Sequence, residues 1–226
     1  MENRREWLKK IPVSLAAGLT VGGIAHLIES AQAQENLGLA TEQEASYIIF
    51  VDSADGNKIK AKNGTTGKID YLGTDASTVI QSAINALTNG RTWKEKVVLK
   101  GNFIISTPIS LPGYSVLEVD GKLTLANGVN DPVIKATLAT DVEVVGGVFD
   151  GNEANQTGDT NEGVIQFWPV TRGKILGCHI TEGYCFGIHL VNCEDVEISG
   201  CSVDNCQANG INIAGSTGKD ILVHHN

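Results

Sequence analysis

From Val142 onward the chain repeats one pattern, and that pattern constrains its fold more than any other feature. Val142-Glu143-Val144-Val145-Gly146-Gly147 aligns with Lys174-Ile175-Leu176-Gly177-Cys178, then with Val196-Glu197-Ile198-Ser199-Gly200-Cys201, then with Ile221-Leu222-Val223-His224-His225. Asp141, Asp195 and Asp220 each stand just before one of these short alternating segments. The period is roughly 23 to 31 residues, the range of stacked repeats rather than of a globular domain with mixed contacts. The chain has 26 glycines and few aromatic residues, a balance that favours many short strands over packed helices.

The 226 residues suit one domain plus appendages. The net charge is -9, with no Lys/Arg-rich run after the N-terminus, so a nucleic-acid partner is not expected. The five cysteines, Cys178, Cys185, Cys193, Cys201 and Cys206, all fall in the repeat region, and none forms a CxxC pair. A zinc or thiol-redox motif is therefore unsupported. Cys185 and Cys206 lie on neighbouring turns, and their pairing is left open by the sequence.

Residues 34–46 are polar and read as a linker. From Tyr47, alternating segments separated by Asp55-Gly56 and Asn63-Gly64 predict a small antiparallel meander over 47–72. Thr74 and Asp75 supply capping side chains for the one predicted helix. Its apolar stripe is Val79, Ile80, Ala83, Ile84 and Leu87, and Gly90 ends it. Beyond it, Val97–Leu99, Phe103–Ile105, Ile109–Leu111, Val116–Val119 and Lys122–Leu125 predict separate strands.

Two resemblances follow from these residues. At the N-terminus, Asn3-Arg4-Arg5-Glu6-Trp7-Leu8-Lys9-Lys10 is similar to a twin-arginine motif, with a softened apolar stretch and Ala31-Gln32-Ala33 as a cleavage site. That implies an export signal over 1–33, a periplasmic or extracellular location, and contact with a membrane only through the export machinery. Cleavage after Ala33 would leave 13 basic against 23 acidic residues. From Gly73 the likeness is to a fold family. Gly73-Thr74-Asp75 with its helix, Val97-Val98-Leu99, Phe103-Ile104-Ile105-Ser106, Ile109-Ser110-Leu111-Pro112 and the Gly146-Gly147-Val148-Phe149-Asp150-Gly151-Asn152 turn resemble the pectate-lyase-like right-handed β-helix superfamily. The implied fold is all-β: a right-handed single-stranded parallel β-helix (a solenoid) over 73–226, with an N-terminal capping helix and the small meander. Because Asn226 falls partway through a repeat with no capping element, a longer protein, truncated here at its C-terminus, is expected.

The resemblance also assigns faces. Ile134-Lys135-Ala136, Ile165-Gln166-Phe167, Ile188-His189-Leu190 and Ile211-Asn212-Ile213 would build the substrate side. Alternation then predicts Lys135, Gln166, His189 and Asn212 in one exposed column. Cys178 and Cys201 would point inward. The long turn from Asn152 to Gly163, with Glu153, Asp159 and Glu162, would wall a groove, and Trp168, Tyr184 and Phe186 flank it as sugar-stacking candidates.

Three chemistries fit such a face. A lyase or epimerase needs a cation for a uronate carboxylate and a base for the C5 proton, which points to Lys135 and His189. A hydrolase needs two carboxyl groups, and Asp150 and Asp204 occupy equivalent positions about 9–10 Å apart by strand spacing. Gln166, Asn212, Trp168, Tyr184 and Glu162 are then substrate-binding candidates. No acid cluster matches the calcium site of typical pectate lyases, and adjacent His224 and His225 should face opposite ways, so no cofactor is expected. The expected partner is a polysaccharide or cell-surface glycan. An exported enzyme on acidic glycans and a non-catalytic glycan-binding or structural protein both remain open.

Overall fold

The structure is a computed structural model that describes residues 45–157 and 162–226. The expected export signal, the linker as far as residue 44, and Asp159 lie outside the described residues.

The turn dipeptides form the expected meander. Strands β1 (Tyr47–Asp52) and β2 (Lys58–Asn63) pair antiparallel, and Gly56 between them is left-handed at φ 63°. Strand β3 (Ile69–Gly73) pairs antiparallel with β2. Strand β1 also pairs in parallel with β4 (Glu95–Ile105), which fuses the meander to the rest of the sheet.

Helix α1 (Ala76–Asn85) starts where expected, with the Asp75 carboxylate accepting from the Thr78 N–H at 2.7 Å. It stops earlier than Gly90. Ala86 closes the last turn, and the Thr88 N–H turns instead to the Glu95 carboxylate at 2.9 Å, leading the chain away from the helix axis. Leu87 stays buried just beyond that end.

Three ladders of parallel strands carry the remainder. The first contains β5 (Ile109–Ser110), β7 (Ile134–Thr140), the first half of β10 (Gly163–Leu176), β12 (Phe186–Val191) and β15 (Ile211–Ala214). The second joins β4, β6 (Ser115–Leu125), β8 (Val142–Val145), the second half of β10, β13 (Glu194–Ser199) and β16 (Lys219–His224). The third joins the later halves of β4 and β6 to β9 (Val148–Asp150), β11 (His179–Thr181) and β14 (Ser202–Val203). The fold is all-β, with α1 the single α-helix among the described residues.

The segments expected as separate strands before and after Gly101 and Gly121 are continuous, and both bend at the glycine. A Cβ on Gly121 (φ 147°) would collide with the Gly101 carbonyl, so the close approach requires glycine there.

Register explains the core. Ile109, Ile134, Ile165 and Ile188 stack on successive rungs of the first ladder, each fully buried. Leu123, Phe149 and Ile180 do the same on the third. Rungs of a parallel sheet sit about 4.8 Å apart, so like side chains meet at van der Waals distance along each column.

The corners repeat as well. Asp141, Arg172, Asp195 and Asp220 occupy equivalent positions, all left-handed (φ 54–56°), with β13 and β16 starting one residue before their aspartate. The Arg172 guanidinium donates to the Asp141 carboxylate and holds it below the usual carboxylate range. In the Gly-Gly-x-x-Asp-Gly-Asn turn, Gly146 and Gly147 are left-handed, and a Cβ on Gly151 would strike the Glu182 carbonyl. Asn152, also left-handed, donates its amide to the Leu125 carbonyl and to Asn127, each at 2.9 Å. His225 corrects one expectation. Its left-handed backbone (φ 55°) swings the ring onto His224, so the two Nδ1 atoms lie 2.6 Å apart rather than on opposite faces.

Cys178 and Cys201 point inward and are buried, as is Cys193. Their thiols donate to main-chain carbonyls, Cys193 to Phe167 at 3.3 Å and Cys178 to Leu176 at 3.4 Å. A hydrogen bond with Cys201 and burial push the Cys178 thiol up. Cys206 forms no disulfide, so the possible Cys185–Cys206 bridge does not form. A thiol reagent is therefore expected to react with Cys178, Cys193, Cys201 and Cys206 in denaturant, with Cys178, Cys193 and Cys201 protected in the native protein. Failure of any of these four to react after denaturation would contradict the free-thiol assignment. Among the described residues no helix is long and apolar enough to cross a membrane.

Candidate functional site

The first ladder sets Ser110, Lys135, Gln166, His189 and Asn212 side by side on consecutive rungs, the register expected from sequence. Exposure differs from expectation. Gln166 is only 7% exposed and His189 only 3%, so the column is not an open ladder at its centre. Residues entering the next strands fold back over it. The Gly163 N–H donates to Gln166 Oε1 at 3.2 Å, and the Phe186 ring sits 4.8 Å from the His189 ring. A Cβ on Gly163 would come within 2.8 Å of His189 Cβ and its backbone N, so glycine is what lets the turn close so tightly. Lys135 and Asn212, at the two sides of the covered pair, remain partly exposed.

Beside the column lies a small, partly open cavity of about 30 Å³, lined by Asn130, Asp131, Gln156, Glu162, Tyr184 and Cys185 among others. That volume holds a water molecule, and a sugar ring would have to lie across its mouth. Its walls are fixed by side-chain amides. Gln156, buried, accepts from the Asn130 N–H at 2.9 Å and donates to the Ala126 carbonyl at 3.0 Å, while Asn130 Oδ1 accepts from the Thr157 N–H at 2.7 Å. The Phe186 N–H bonds the Glu162 carbonyl at 3.1 Å.

Two acids meet in this cavity. Ile134 and Ile165 pair in register, and Asp131 and Glu162, each three residues earlier in the chain, both line this cavity. Glu162 Oε2 is buried and has no hydrogen-bond partner among the described residues. Burial first, then the charge of Asp131, raises the Glu162 carboxyl above its ordinary range, against the opposing pull of Lys135. The Lys135 ammonium lies 3.6 Å from the Asp131 carboxylate.

Asp150 and Asp204 sit elsewhere, on the third ladder. Asp150 pairs with Lys122 at 2.6 Å and accepts from the Asn152 N–H at 2.8 Å. Asp204 accepts from the Thr181 hydroxyl at 2.5 Å and lies 2.9 Å from His179, which together hold its carboxyl low. Thr181 stands in register with Asp150, between the two acids as expected. The ladder assignments thus bring Lys135, Glu162, Gln166, His189 and Tyr184 into one neighbourhood and leave Asp150 and Asp204 in another. Trp168, half exposed, lies farther along β10.

Sequence reasoning missed Asp131, Asn130 and Gln156. The available signal was positional: Asp131 precedes Ile134 as Glu162 precedes Ile165. Among the described residues no group of three or more His, Cys, Asp or Glu side chains is arranged to hold a metal ion.

No family model matches the chain, and no curated protein matches it. Among solved structures, a crystal structure from Parabacteroides merdae ATCC 43184 described as a "putative glycosyl hydrolase" is similar, with 13% identity and a TM-score of 0.41 over 66% of this chain and 87% of that one.

Proposed function

We propose that the three ladders wind as a right-handed parallel β-helix closed at its first turn by α1, and that the protein is an exported hydrolase of uronate-containing glycans. Export rests on the Arg4-Arg5 motif and the Ala31-Gln32-Ala33 site. The observation that carries the catalytic reading is Glu162: a half-buried carboxyl with a raised pKa, whose buried Oε2 has no hydrogen-bond partner among the described residues, lining the same water-sized cavity as Asp131. A carboxyl raised by burial beside a second acid is the arrangement of a glycosidase acid and its partner.

The roles follow from the surroundings. Adjacent rungs separate equivalent positions by about 4.8 Å, near the roughly 5–5.5 Å carboxyl spacing of retaining enzymes. Glu162 donates its proton to the glycosidic oxygen as that bond breaks, while the Asp131 carboxylate attacks the anomeric carbon. Water in the small cavity then releases the sugar, giving a proton to Glu162. Lys135, beside Asp131, meets the sugar carboxylate. Gln166 and His189, both buried, position the turn rather than touch substrate.

Incubation with a panel of uronate-containing polymers tests this. New reducing ends without the ultraviolet absorbance of an unsaturated sugar, and with retained anomeric configuration by proton NMR, are expected. An unsaturated product would replace hydrolysis by elimination, and inversion would remove Asp131 as nucleophile. Silence in both assays, with glycan binding intact, would leave a binding module.

A further inference from the structure

A second, larger cavity of about 270 Å³ opens where α1 meets the first ladder, lined by Gln81, Asn85, Ser110, Leu111, Pro112, Lys135 and Thr137. It is continuous in residues with the catalytic candidates, because Lys135 lines it and also reaches Asp131. Gln81 is fully committed to structure. Its Oε1 accepts from the Ser110 N–H at 2.8 Å and its Nε2 donates to the Ser110 carbonyl at 3.1 Å, so the side chain stands in for a neighbouring strand along β5. Gln81 Nε2 also donates to Asn85 Oδ1 at 3.0 Å. That bond fixes the Asn85 amide, whose own hydrogens make no hydrogen bond among the described residues.

The register adds an apolar strip beside the polar column. Ser110 pairs with Lys135, so Pro112 stands opposite Thr137, and Thr137 pairs with Trp168. Trp168 is 51% exposed, unusual for so large a ring on a strand whose other aromatic, Phe167, is fully buried. Alternation points the two rings to opposite faces, and the strip lies two residues, about 6.6 Å, from the Lys135 column. An exposed indole next to a cavity with amide and hydroxyl groups suits a pyranose ring, whose apolar face stacks while its hydroxyls take hydrogen bonds.

We infer that Trp168, Thr137 and Asn85 form a subsite for a neutral sugar residue next to the cleavage site, so that the substrate alternates uronate and neutral residues rather than being a homopolyuronate. This rests on the proposed hydrolase reading for the position of the cleavage site. Neutrality follows from the strip itself: Trp168, Thr137 and Asn85 carry no charge, and the one cation lining the cavity, Lys135, serves the uronate at the neighbouring cleavage site.

The test separates the subsite from the hydrolase. Neutral methyl pyranosides of gluco, galacto, manno and xylo configuration, and the corresponding methyl uronosides, are titrated at millimolar concentration. The readout is the Trp168 indole N–H in proton–nitrogen correlation spectra, assigned with Trp168→Phe. At least one neutral pyranoside is expected to shift it saturably, and Asn85→Ala to weaken that binding by about 3- to 10-fold, the worth of one hydrogen bond. Both changes are at exposed positions and leave the fold intact. No shift with any neutral sugar, equal binding by Asn85→Ala, or a response to uronosides alone would overturn the subsite whether or not polymers are cleaved. If cleavage occurs, an alternating uronate–neutral polymer is expected to outcompete a homopolyuronate, and the reverse order would also overturn it. Absence of cleavage with the indole shift intact would remove the hydrolase and keep the subsite.

Discussion

Glu162→Gln is expected to lower kcat on a cleaved glycan by about 10²- to 10⁴-fold, the range for loss of one general acid–base group. The same substitution should stabilise the protein at neutral pH. The folded-state pKa of Glu162 lies above its unfolded value, so the native protein binds the extra proton between the two. Stability therefore falls as pH rises through that window, and the ionised, buried carboxylate is a standing penalty above it. Glutamine has no such penalty. Melting temperatures of the two proteins should converge in acid and diverge at neutral pH, with the variant higher. A variant that is equally active, or less stable at neutral pH, would show that Glu162 is neither a catalytic acid nor a desolvated one. The wild-type rate should fall as pH rises through the Glu162 pKa, because the donor is then lost.

Phe149→Ala should cost about 3–5 kcal/mol of unfolding free energy. Phe149 is fully buried and stacks between Leu123 and Ile180 on adjacent rungs of the third ladder. Truncation loses the transfer energy of the ring and leaves a void that rigid strands on both sides cannot close. Denaturant titration measures it, with Ile180→Val as a milder reference at about 0.5–1.5 kcal/mol. A loss under about 1 kcal/mol for Phe149→Ala would mean that the column is not packed as described.

Much of this was legible in the sequence because side-chain alternation and turn residues are local. The pairing of Lys135, Gln166, His189 and Asn212 follows from apolar flankers with a period of two, and strand registry had only one way to bury them. Asp75 capped the helix because its short carboxylate reaches the Thr78 N–H. What escaped was set by contacts between turns. The burial of His189 depends on Phe186 and on the absence of a side chain at Gly163, neither of which periodicity encodes. Asp131 looked like an ordinary turn residue in Asn130-Asp131-Pro132. Its place beside Glu162 in one cavity appears once the turns are stacked. The helix ended early for a similar reason, since Glu95, distant in the helical pattern, takes the Thr88 N–H.

The rung-by-rung register has a consequence for how such a protein changes over generations. Each strand is aligned by main-chain bonds to the strands on neighbouring rungs, whereas the described residues that bridge β9 and β10 belong to no strand. Lengthening a bridge costs little, since each doubling of loop length adds about 0.6 kcal/mol of closure entropy. Residues can therefore be inserted or exchanged there without displacing the isoleucine column beneath. Glu162 and Gln156 sit in that bridge, whereas Lys135 and Trp168 are held by the ladder. On the proposed reading, drift in the acid and its cavity can then proceed while the sugar-facing platform stays fixed, which separates the evolution of turnover from that of recognition.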